Sequence, residues 1–104
     1  MAHRIRWLNQ ALRELFHHCE FLADEAPKKA ALLEEEAFRA VEILERFPTI
    51  GRLVPDVAPE HRAILIAQRG YWLVYRSRNK VVTVVAIIST LQDFPKAWHS
   101  RNRD

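Results

Sequence analysis

The sequence has one cysteine, two glycines and no long hydrophobic run. Cys19 lacks a partner for an intramolecular disulfide, as is typical of proteins in a reducing compartment. The longest apolar run, residues 81–88, contains Thr83 and is too short to cross a membrane, and the N-terminus has no hydrophobic signal core. Low-complexity tracts are also missing, so a disordered chain is not expected. We expect one cytoplasmic domain over residues 1–104, with a core of about 3–98, a frayed tail at 99–104 and no membrane partner.

Positive charge is concentrated in the second half of the chain. Residues 1–51 contain seven Lys and Arg against nine Asp and Glu, a net charge of −2, whereas residues 52–104 contain nine against four, a net charge of +5. Seven of these nine cations are arginines, whose forked guanidinium group suits phosphate and carboxylate. The pattern favours an anionic partner, either nucleic acid or an acidic peptide. Arginines that only keep a sheet surface soluble would give the same count.

The first half of the chain has the periodicity of a short strand followed by two helices. Residues 3–7 alternate His, Ile and Trp with two arginines and predict a strand. Asn9 is placed to cap the helix that follows, which the three- and four-residue spacing of leucines extends to about Asp24. Pro27 starts a second helix and Pro48 ends it, because proline fits the first turn of a helix but not its interior. The short connection predicts an antiparallel helical hairpin.

The second half of the chain predicts a loop followed by three strands. Prolines and one glycine punctuate residues 48–59. Residues rich in β-branched and aromatic side chains then predict strands at 62–67, 71–76 and 81–89. The connections are short enough for hairpin turns in which Gly70 and Asn79 can take positive φ. The predicted fold is α+β, with the order β-α-α-β-β-β and a two-helix hairpin packed on a small antiparallel sheet.

The strand Tyr71–Arg76 is the clearest of the three. Its odd-numbered residues should point to one face of the sheet and its even-numbered residues to the other. Both sets are mostly apolar, as is typical of a strand covered on both sides, and Arg76 is the exception. Together with Arg52 and Arg62 it could form one cationic surface, depending on where the sheet has bulges.

Several short motifs follow one another in a recognisable order. A basic first strand and two helices precede a Pro-x-x-Gly-Arg loop at residues 48–52 and an arginine that opens the next strand, Arg62. A Tyr-x-Leu-Val-Tyr-Arg strand at residues 71–76 and a closing Val/Ile strand complete the series. In this order, over roughly residues 3–98, the chain resembles the RelE/ParE family of bacterial toxins.

The resemblance implies the toxin of a type II toxin–antitoxin system, the kind of module associated with growth inhibition and plasmid stabilisation. Its partner would be a cognate antitoxin whose disordered, amphipathic tail wraps the toxin, and the toxin could form a homodimer or a hetero-oligomer with it. ParE-like members inhibit DNA gyrase, whereas RelE-like members cleave messenger RNA in the ribosome. A third alternative is a degenerate toxin that only binds its antitoxin. The site residues must decide between these functions, because one scaffold hosts them all.

RNA cleavage would require an acid, a base and cations around the reacting phosphate. Arg62 and Arg76 match the family's strand arginines and could supply the cations. In the nuclease branches the end of the last strand commonly carries histidine, tyrosine or a further arginine, but here residues 89–92 read Ser-Thr-Leu-Gln. None of these is a ready proton donor or acceptor near neutral pH. This departure favours the ParE-like function, without enzymatic activity.

Other side chains could still supply acid–base chemistry. The candidates are His61 beside Arg62, Tyr71 and Tyr75 on the central strand, and His99 if the tail folds back. Each has a simpler structural explanation, a solvated loop for His61 and a satisfied core hydroxyl for the tyrosines.

A ParE-like function requires only a contact surface. The candidate partner- or nucleic-acid-binding residues are Arg52, Arg62, Arg69, Arg76, Arg78 and Trp98. An exposed Trp98 would anchor an interface, whereas Trp98 and Phe94 could equally close the core. Arg101 and Arg103 are expected to be frayed and solvated.

The remaining clusters predict neither a metal site nor a cofactor. His17, His18 and Cys19 are consecutive on a helix and therefore point apart, without a second cluster of ligands. Residues 34–36, three consecutive glutamates, could contact a partner but are typical of a solvated helix face.

Overall fold

The computed structural model describes residues 3–55 and 57–101, which contain five strands and three helices. In chain order these are β1 (Arg4–Trp7), α1 (Asn9–Ala23), α2 (Pro27–Arg46), β2 (Arg52–Val54), β3 (Ala58–Ile66), β4 (Tyr71–Arg78), β5 (Val81–Ser89) and α3 (Phe94–Arg101). The predicted order β-α-α-β-β-β is confirmed, and β2 and α3 are additions to it. No helix of the described residues combines the length and hydrophobicity needed to cross a bilayer.

The sheet is mixed, with the strand order β1-β5-β4-β3-β2. The pairings of β3 with β4 and of β4 with β5 are antiparallel, as predicted, and β2 also pairs antiparallel with β3, but β1 runs parallel to β5. An edge strand of the other direction is a common addition to a sheet. The pairing of β4 with β5 shifts register between Val74 and Tyr75, which leaves Val85 as the extra residue of a bulge.

The two faces of the sheet are covered differently. Helices α1 and α2 pack on one face, the hairpin face, where Leu15, Leu33 and Leu44 are fully buried against Leu73 and other sheet residues. Helix α3 packs on the opposite face, the α3 face, with Trp98 in a second apolar cluster that includes Val74. The predicted alternation of β4 is confirmed, since its odd-numbered residues join the hairpin cluster and Trp72 and Val74 join the α3 cluster.

The prediction of a frayed tail is wrong for residues 99–101, because α3 continues to Arg101. The Arg101 side chain is only 7% exposed, and its guanidinium group donates to the Glu14 carboxylate (Nε–Oε2 2.8 Å) and to the Val85 carbonyl (2.6 Å). Asp93 accepts a hydrogen bond from the Lys96 amide (3.1 Å), which stabilises the start of the helix. Arg103 lies outside the described residues.

Two local predictions also differ from the structure. Asn9 is the first helical residue rather than the cap, and Leu8 in the cap position makes no side-chain hydrogen bond. Asn79 takes positive φ as predicted, but Gly70 does not; the positive φ values of that turn, 52° to 68°, belong to residues 67–69. Hydrogen bonds hold this strained turn, because the Ala67 amide donates to Glu36 Oε1 (2.8 Å) and the Gly70 amide to the Ala67 carbonyl (3.1 Å).

Candidate functional site

Arginines from two strands occupy the part of the α3 face beyond the α3 cluster. Ile5 and Trp7 of β1 pack against the hairpin cluster, so the alternate residues Arg4 and Arg6 point to the α3 face. On β4, residues 76 and 78 share the face of Val74 by the same alternation. We call this set, Arg4, Arg6, Arg76 and Arg78, the arginine face.

The strand register places these arginines in two neighbouring rows. Arg6 and Arg76 both pair with Thr83 of β5, and Arg4 and Arg78 both pair with Val81. Side chains that are directly opposite across strands lie on the same face. With about 4.8 Å between strands and about 3.4 Å per residue, the arginine Cα atoms lie about 10 Å apart across β5 and about 7 Å apart along each strand.

Most of this positive charge is uncompensated. Arg4, Arg6 and Arg78 are exposed and Arg76 is half-buried. Arg78 forms an ion pair with Glu60, while within residues 3–55 and 57–101 the other three have no acidic partner within 4.0 Å. Neighbouring like charges without counter-charges create a positive potential that attracts anions.

The other predicted surface arginines are divided between this face and the rest of the sheet. Arg52 is exposed and pairs with Ala63 of the α3 cluster, so it lies on the same side as Arg76, at the β2 edge. Arg69 lies in the β3–β4 turn, where its carbonyl accepts a hydrogen bond from Thr90 Oγ1 (3.1 Å). That turn is at the end of β4 remote from Arg76, so Arg69 does not join the arginine face.

Arg62 does not share a face with Arg52 and Arg76, which corrects the prediction of one surface formed by the three. It pairs with Tyr75 on the hairpin face, and its Nη1 donates to the carbonyls of Thr49 (3.1 Å) and Gly51 (2.8 Å). Sequence alternation alone could not reveal this separation, because it requires the register between β3 and β4. Arg62 holds the loop that follows α2.

Tyr75 completes this arrangement from the core. Its hydroxyl donates to the Pro48 carbonyl (2.8 Å) and accepts from the Gly51 amide (2.9 Å). The side chain is fully buried, and burial raises the pKa of the phenol. Both hydrogen-bonding positions of the Tyr75 hydroxyl are thus filled within the fold, as the structural explanation of this side chain expects, and its catalytic role stays a prediction. We call Gly51, Arg62 and Tyr75 the loop clasp.

Gly51 is required by the closeness of the Tyr75 ring. A Cβ atom at this position would lie 2.6 Å from Tyr75 Oη and 2.8 Å from its Cε1, closer than non-bonded atoms approach. Gly51 of the Pro-x-x-Gly-Arg motif and Tyr75 of β4 thus stabilise the loop after α2.

Trp98 and the remaining acid–base candidates are also packed against the fold. Trp98 is 5% exposed, so it closes the core and cannot anchor an interface as an exposed residue. His61 Nδ1 donates to the Pro59 carbonyl (2.7 Å), and its ring contacts Trp98 edge-on at 5.0 Å. Tyr71 is on the hairpin face with its ring 4.9 Å from His18, and burial raises its pKa. His99 is exposed on α3.

The end of β5 lies away from the arginine face. Ser89 pairs with Tyr71, the first residue of β4, whereas Arg76 is near its last residue. Thr90 Oγ1 donates to the Gly70 carbonyl (3.0 Å), which fixes the segment to the β3–β4 turn. The position at which the family's nuclease branches are expected to carry catalytic groups is therefore remote from Arg76 in this sheet.

An open groove of about 1310 Å³ lies between α1 and α3. Its lining combines apolar residues such as Phe16 and Ile87 with polar ones, among them Glu14, His18 and Arg101. Burial lowers the pKa of His18, whose Nε2 lies 3.1 Å from the Ile87 carbonyl oxygen. The described residues contain no cluster of three or more His, Cys, Asp or Glu side chains that could hold a metal ion.

The candidate residues that sequence reasoning missed are Arg4 and Arg6. Their alternation with apolar residues in the first strand was visible, but it did not indicate which strand lies beside β1. The parallel pairing with β5 brings Arg6 into the row of Arg76.

Comparison with known proteins places the chain in one family. Residues 5–94 match the family model described as the ParE toxin of the type II toxin–antitoxin system, parDE. This range includes Arg6, Arg76 and Arg78 of the arginine face and the whole loop clasp. No curated protein matches the chain.

Solved structures share the fold at low sequence identity. A chain of the chromosomal ParDE system from P. aeruginosa has a TM-score of 0.71 and 17% identity, covering 85% of this chain and 96% of that chain. The isolated E. coli RelE toxin has a TM-score of 0.56 and 21% identity, covering 97% and 98%. A chain of the intact E. coli RelBE toxin–antitoxin complex has a TM-score of 0.55 and 24% identity, covering 86% and 98%. At these identities the likeness shows the fold alone.

Proposed function

Since this chain belongs to the ParE toxin family of type II toxin–antitoxin systems, we propose that it inhibits bacterial growth by acting on DNA gyrase and that the arginine face contacts the target. The protein is a toxin of such a system, and the gyrase target is the proposed part. A cytoplasmic location and a role in plasmid stabilisation belong to the same proposal, because gyrase and plasmid DNA are in the cytoplasm.

The observation that carries the proposal is the separation of the arginines from the tyrosines. Arg6 and Arg76 lie on the α3 face, whereas Tyr71 and Tyr75 lie on the hairpin face, where burial raises the pKa of both phenols. Phosphoryl transfer from a ribose hydroxyl needs an acid and a base within hydrogen-bond reach of the reacting atoms. The acid–base candidate that shares the α3 face is His61, which packs on Trp98 and donates Nδ1–H to the Pro59 carbonyl. One histidine is not an acid–base pair, so a surface that offers cations without such a pair supports binding over cleavage.

A cognate antitoxin is the second proposed partner. The solved structures that share this fold include the chromosomal ParDE system and the RelBE toxin–antitoxin complex, in which a toxin is accompanied by its antitoxin. Several large apolar side chains of this chain are exposed outside the arginine face, including Phe47, Ile50 and Leu53 at 54–56%. Exposed apolar residues of this size support a protein partner that covers them.

A gyrase supercoiling assay tests the proposed target. Purified protein should inhibit supercoiling of plasmid DNA, and the double variant R6A/R76A should lose inhibition because it removes two cations from one row. Arg39→Ala is the matched control, since Arg39 is an exposed arginine on α2 that pairs with Glu35. It should inhibit as the unmodified protein does.

The alternative functions give different results. In a translating extract, primer-extension mapping would reveal codon-phased cuts in the message if the toxin were a RelE-like endonuclease, for which the arginine face could bind RNA. Such cuts together with unaffected gyrase would overturn the proposal. Inactivity in both assays with intact antitoxin binding would identify a degenerate toxin.

A further inference from the structure

We infer that the arginine face binds the phosphodiester backbone of DNA, so that the toxin contacts the DNA held by gyrase. The inference rests on the proposed function for its biological setting, but the binding itself can be measured without gyrase. It concerns Arg4, Arg6, Arg76 and Arg78, placed in two rows by the strand register.

The charge of this surface suits a repeating anion. Between the two arginine strands, β5 contributes Val81 and Thr83 to this face, and neither carries a charge. Among the described residues, Glu60 is the acidic side chain that forms an ion pair with this surface, through Arg78. The other acidic residues of the described chain lie on α1, α2, their connection and the segment that begins α3. A phosphodiester backbone presents one negative charge per nucleotide, and guanidinium groups can bind its oxygens through forked hydrogen bonds.

The arginine face lacks the apolar side chains that anchor a peptide. The large hydrophobic residues exposed on the described surface are Phe16, Phe21, Phe38, Ile43, Phe47, Ile50, Leu53 and Leu91. All lie on α1, α2, the segment that joins α2 to β3, or the loop after β5. Protein interfaces draw most of their binding energy from buried aromatic and apolar anchors, whereas backbone phosphates require mainly positive charge.

The surface also lacks a platform for base stacking. Trp98 is buried, and the half-buried Trp72 packs edge-on against Phe94 with ring centroids 6.2 Å apart. Sequence-tolerant binding of single strands normally uses exposed aromatic rings on which bases stack. Binding should therefore be electrostatic, independent of base sequence and at least as strong for duplex DNA as for a single strand.

Counterion release gives the expected salt dependence. Arg4, Arg6 and Arg76, with Arg78 as a fourth if it leaves Glu60, would neutralise three or four phosphates. At about 0.9 per phosphate, the slope of log K against log salt should be about −2.7 to −3.6 for duplex DNA. Affinity should then fall about 40- to 150-fold between 50 and 200 mM salt.

Fluorescence anisotropy with the full-length protein tests the inference. The probes are a labelled DNA duplex of about 20 base pairs, one strand of it, an RNA duplex of the same sequence and a labelled polyglutamate peptide. The DNA duplex should bind with the predicted slope. The R6A/R76A variant should lower the magnitude of the slope by about 1.8, since two phosphate contacts are lost, and Arg39→Ala should leave it unchanged. Circular dichroism of each variant checks that the fold is retained.

Several results would overturn the inference. These are no binding of the DNA duplex at low salt, a slope that R6A/R76A does not change, a preference for the RNA duplex, and a preference for polyglutamate. Failure here with gyrase inhibition intact would leave the proposed target standing and move the contact to the gyrase protein. DNA binding by a toxin that leaves gyrase supercoiling unaffected would support the phosphate-binding inference and overturn the proposed gyrase target.

Discussion

Arg62 and Arg76 are close in the sheet, but they lie on opposite faces. The Arg62 guanidinium group binds acceptors within the described part of the fold, whereas that of Arg76 does not. Arg62 directs its guanidinium to two backbone carbonyls of the loop after α2, and Arg101 likewise binds the Glu14 carboxylate and a carbonyl of β5. Arg76 and its neighbours on the arginine face retain hydrogen-bonding capacity and, Arg78 excepted, have no acidic partner among the described residues. We call the first group the anchored arginines and the second the open arginines.

This difference shows that residue type and motif do not reveal which arginines the fold leaves without partners. Arg62 and Arg76 both belong to motifs, yet only Arg62 stabilises a loop, whereas Arg6, in the basic first strand, shares the surroundings of Arg76. What distinguishes them is whether the fold supplies an acceptor. An arginine with its donors unfilled is available to an external anion.

The largest expected effect is the loss of the anchored Arg101. Arg101→Ala should lower the free energy of unfolding by about 2–4 kcal/mol, because it leaves the partly buried Glu14 carboxylate unpaired and removes the α3 contact with β5. Urea denaturation measures the change. Arg39→Ala, which breaks the exposed pair with Glu35, is the control and should cost at most about 0.5 kcal/mol. Equal costs for the two variants would contradict the anchoring role.

The next effect tests the loop clasp through its glycine. Gly51→Ala should destabilise the protein by about 1–3 kcal/mol, because the added methyl group would overlap the Tyr75 ring and hydroxyl. Gly70→Ala is the matched control, since its Cβ would meet only the Ala67 carbonyl at 3.1 Å. Thermal or urea unfolding of both variants gives the comparison. If Gly51→Ala were as stable as Gly70→Ala, the Tyr75 ring would not be packed closely enough on residue 51 to exclude a methyl group.

The direct contrast between the two groups is a pair of alanine variants. Arg62→Ala should cost about 1–2 kcal/mol of unfolding free energy, since two loop carbonyls lose a charged donor. Arg76→Ala should change stability by less than about 0.5 kcal/mol, as is usual for a surface residue without partners. Urea denaturation under identical conditions measures both. If Arg76→Ala lowered the free energy of unfolding more than Arg62→Ala, the role of Arg76 would be structural.

The smallest expected effect is a pH dependence of stability that arises from His18 in the groove between α1 and α3. Burial lowers the pKa of His18 below 6.5, so below that pH the unfolded chain binds more protons at this residue than the folded one. Stability should therefore fall as the pH is lowered through 6.5, and His18→Gln should reduce that fall. The exposed His17→Gln is the matched control. An identical pH profile for His18→Gln and the unmodified protein would contradict the effect of burial.

The main elements of the fold were predictable because hydrophobic spacing and proline placement are local signals. The alternation of residues 71–76 gave the faces of the central strand correctly, and Pro27 marked the start of α2. Asp93 and Pro95 are signals of the same local kind, a helix-capping residue and a proline in the first turn, and they would have predicted the start of α3. Its eight residues are too short for a clear apolar stripe, so the sequence left Trp98 open between core and interface and placed Arg101 in a frayed tail.

The candidate site was less predictable because it depends on strand order and register. Arg4 and Arg6 become neighbours of Arg76 only through the parallel pairing of β1 with β5, a contact between residues about 75 positions apart that no local pattern specifies. In the same way, the register of β3 on β4 decides that Arg62 joins Tyr75 on the hairpin face.

Gyrase inhibition by Arg76→Ala tests the account most directly. Supercoiling is measured over a range of toxin concentrations corrected for folded protein, with the unmodified toxin alongside. If the open arginines contact the target, Arg76→Ala should require about 10- to 150-fold more protein for the same inhibition, as expected when a charged hydrogen bond worth about 1.5–3 kcal/mol is lost. If Arg76→Ala inhibited gyrase at the same concentration as the unmodified toxin, that result would contradict the central claim that the open arginines carry the toxin's function.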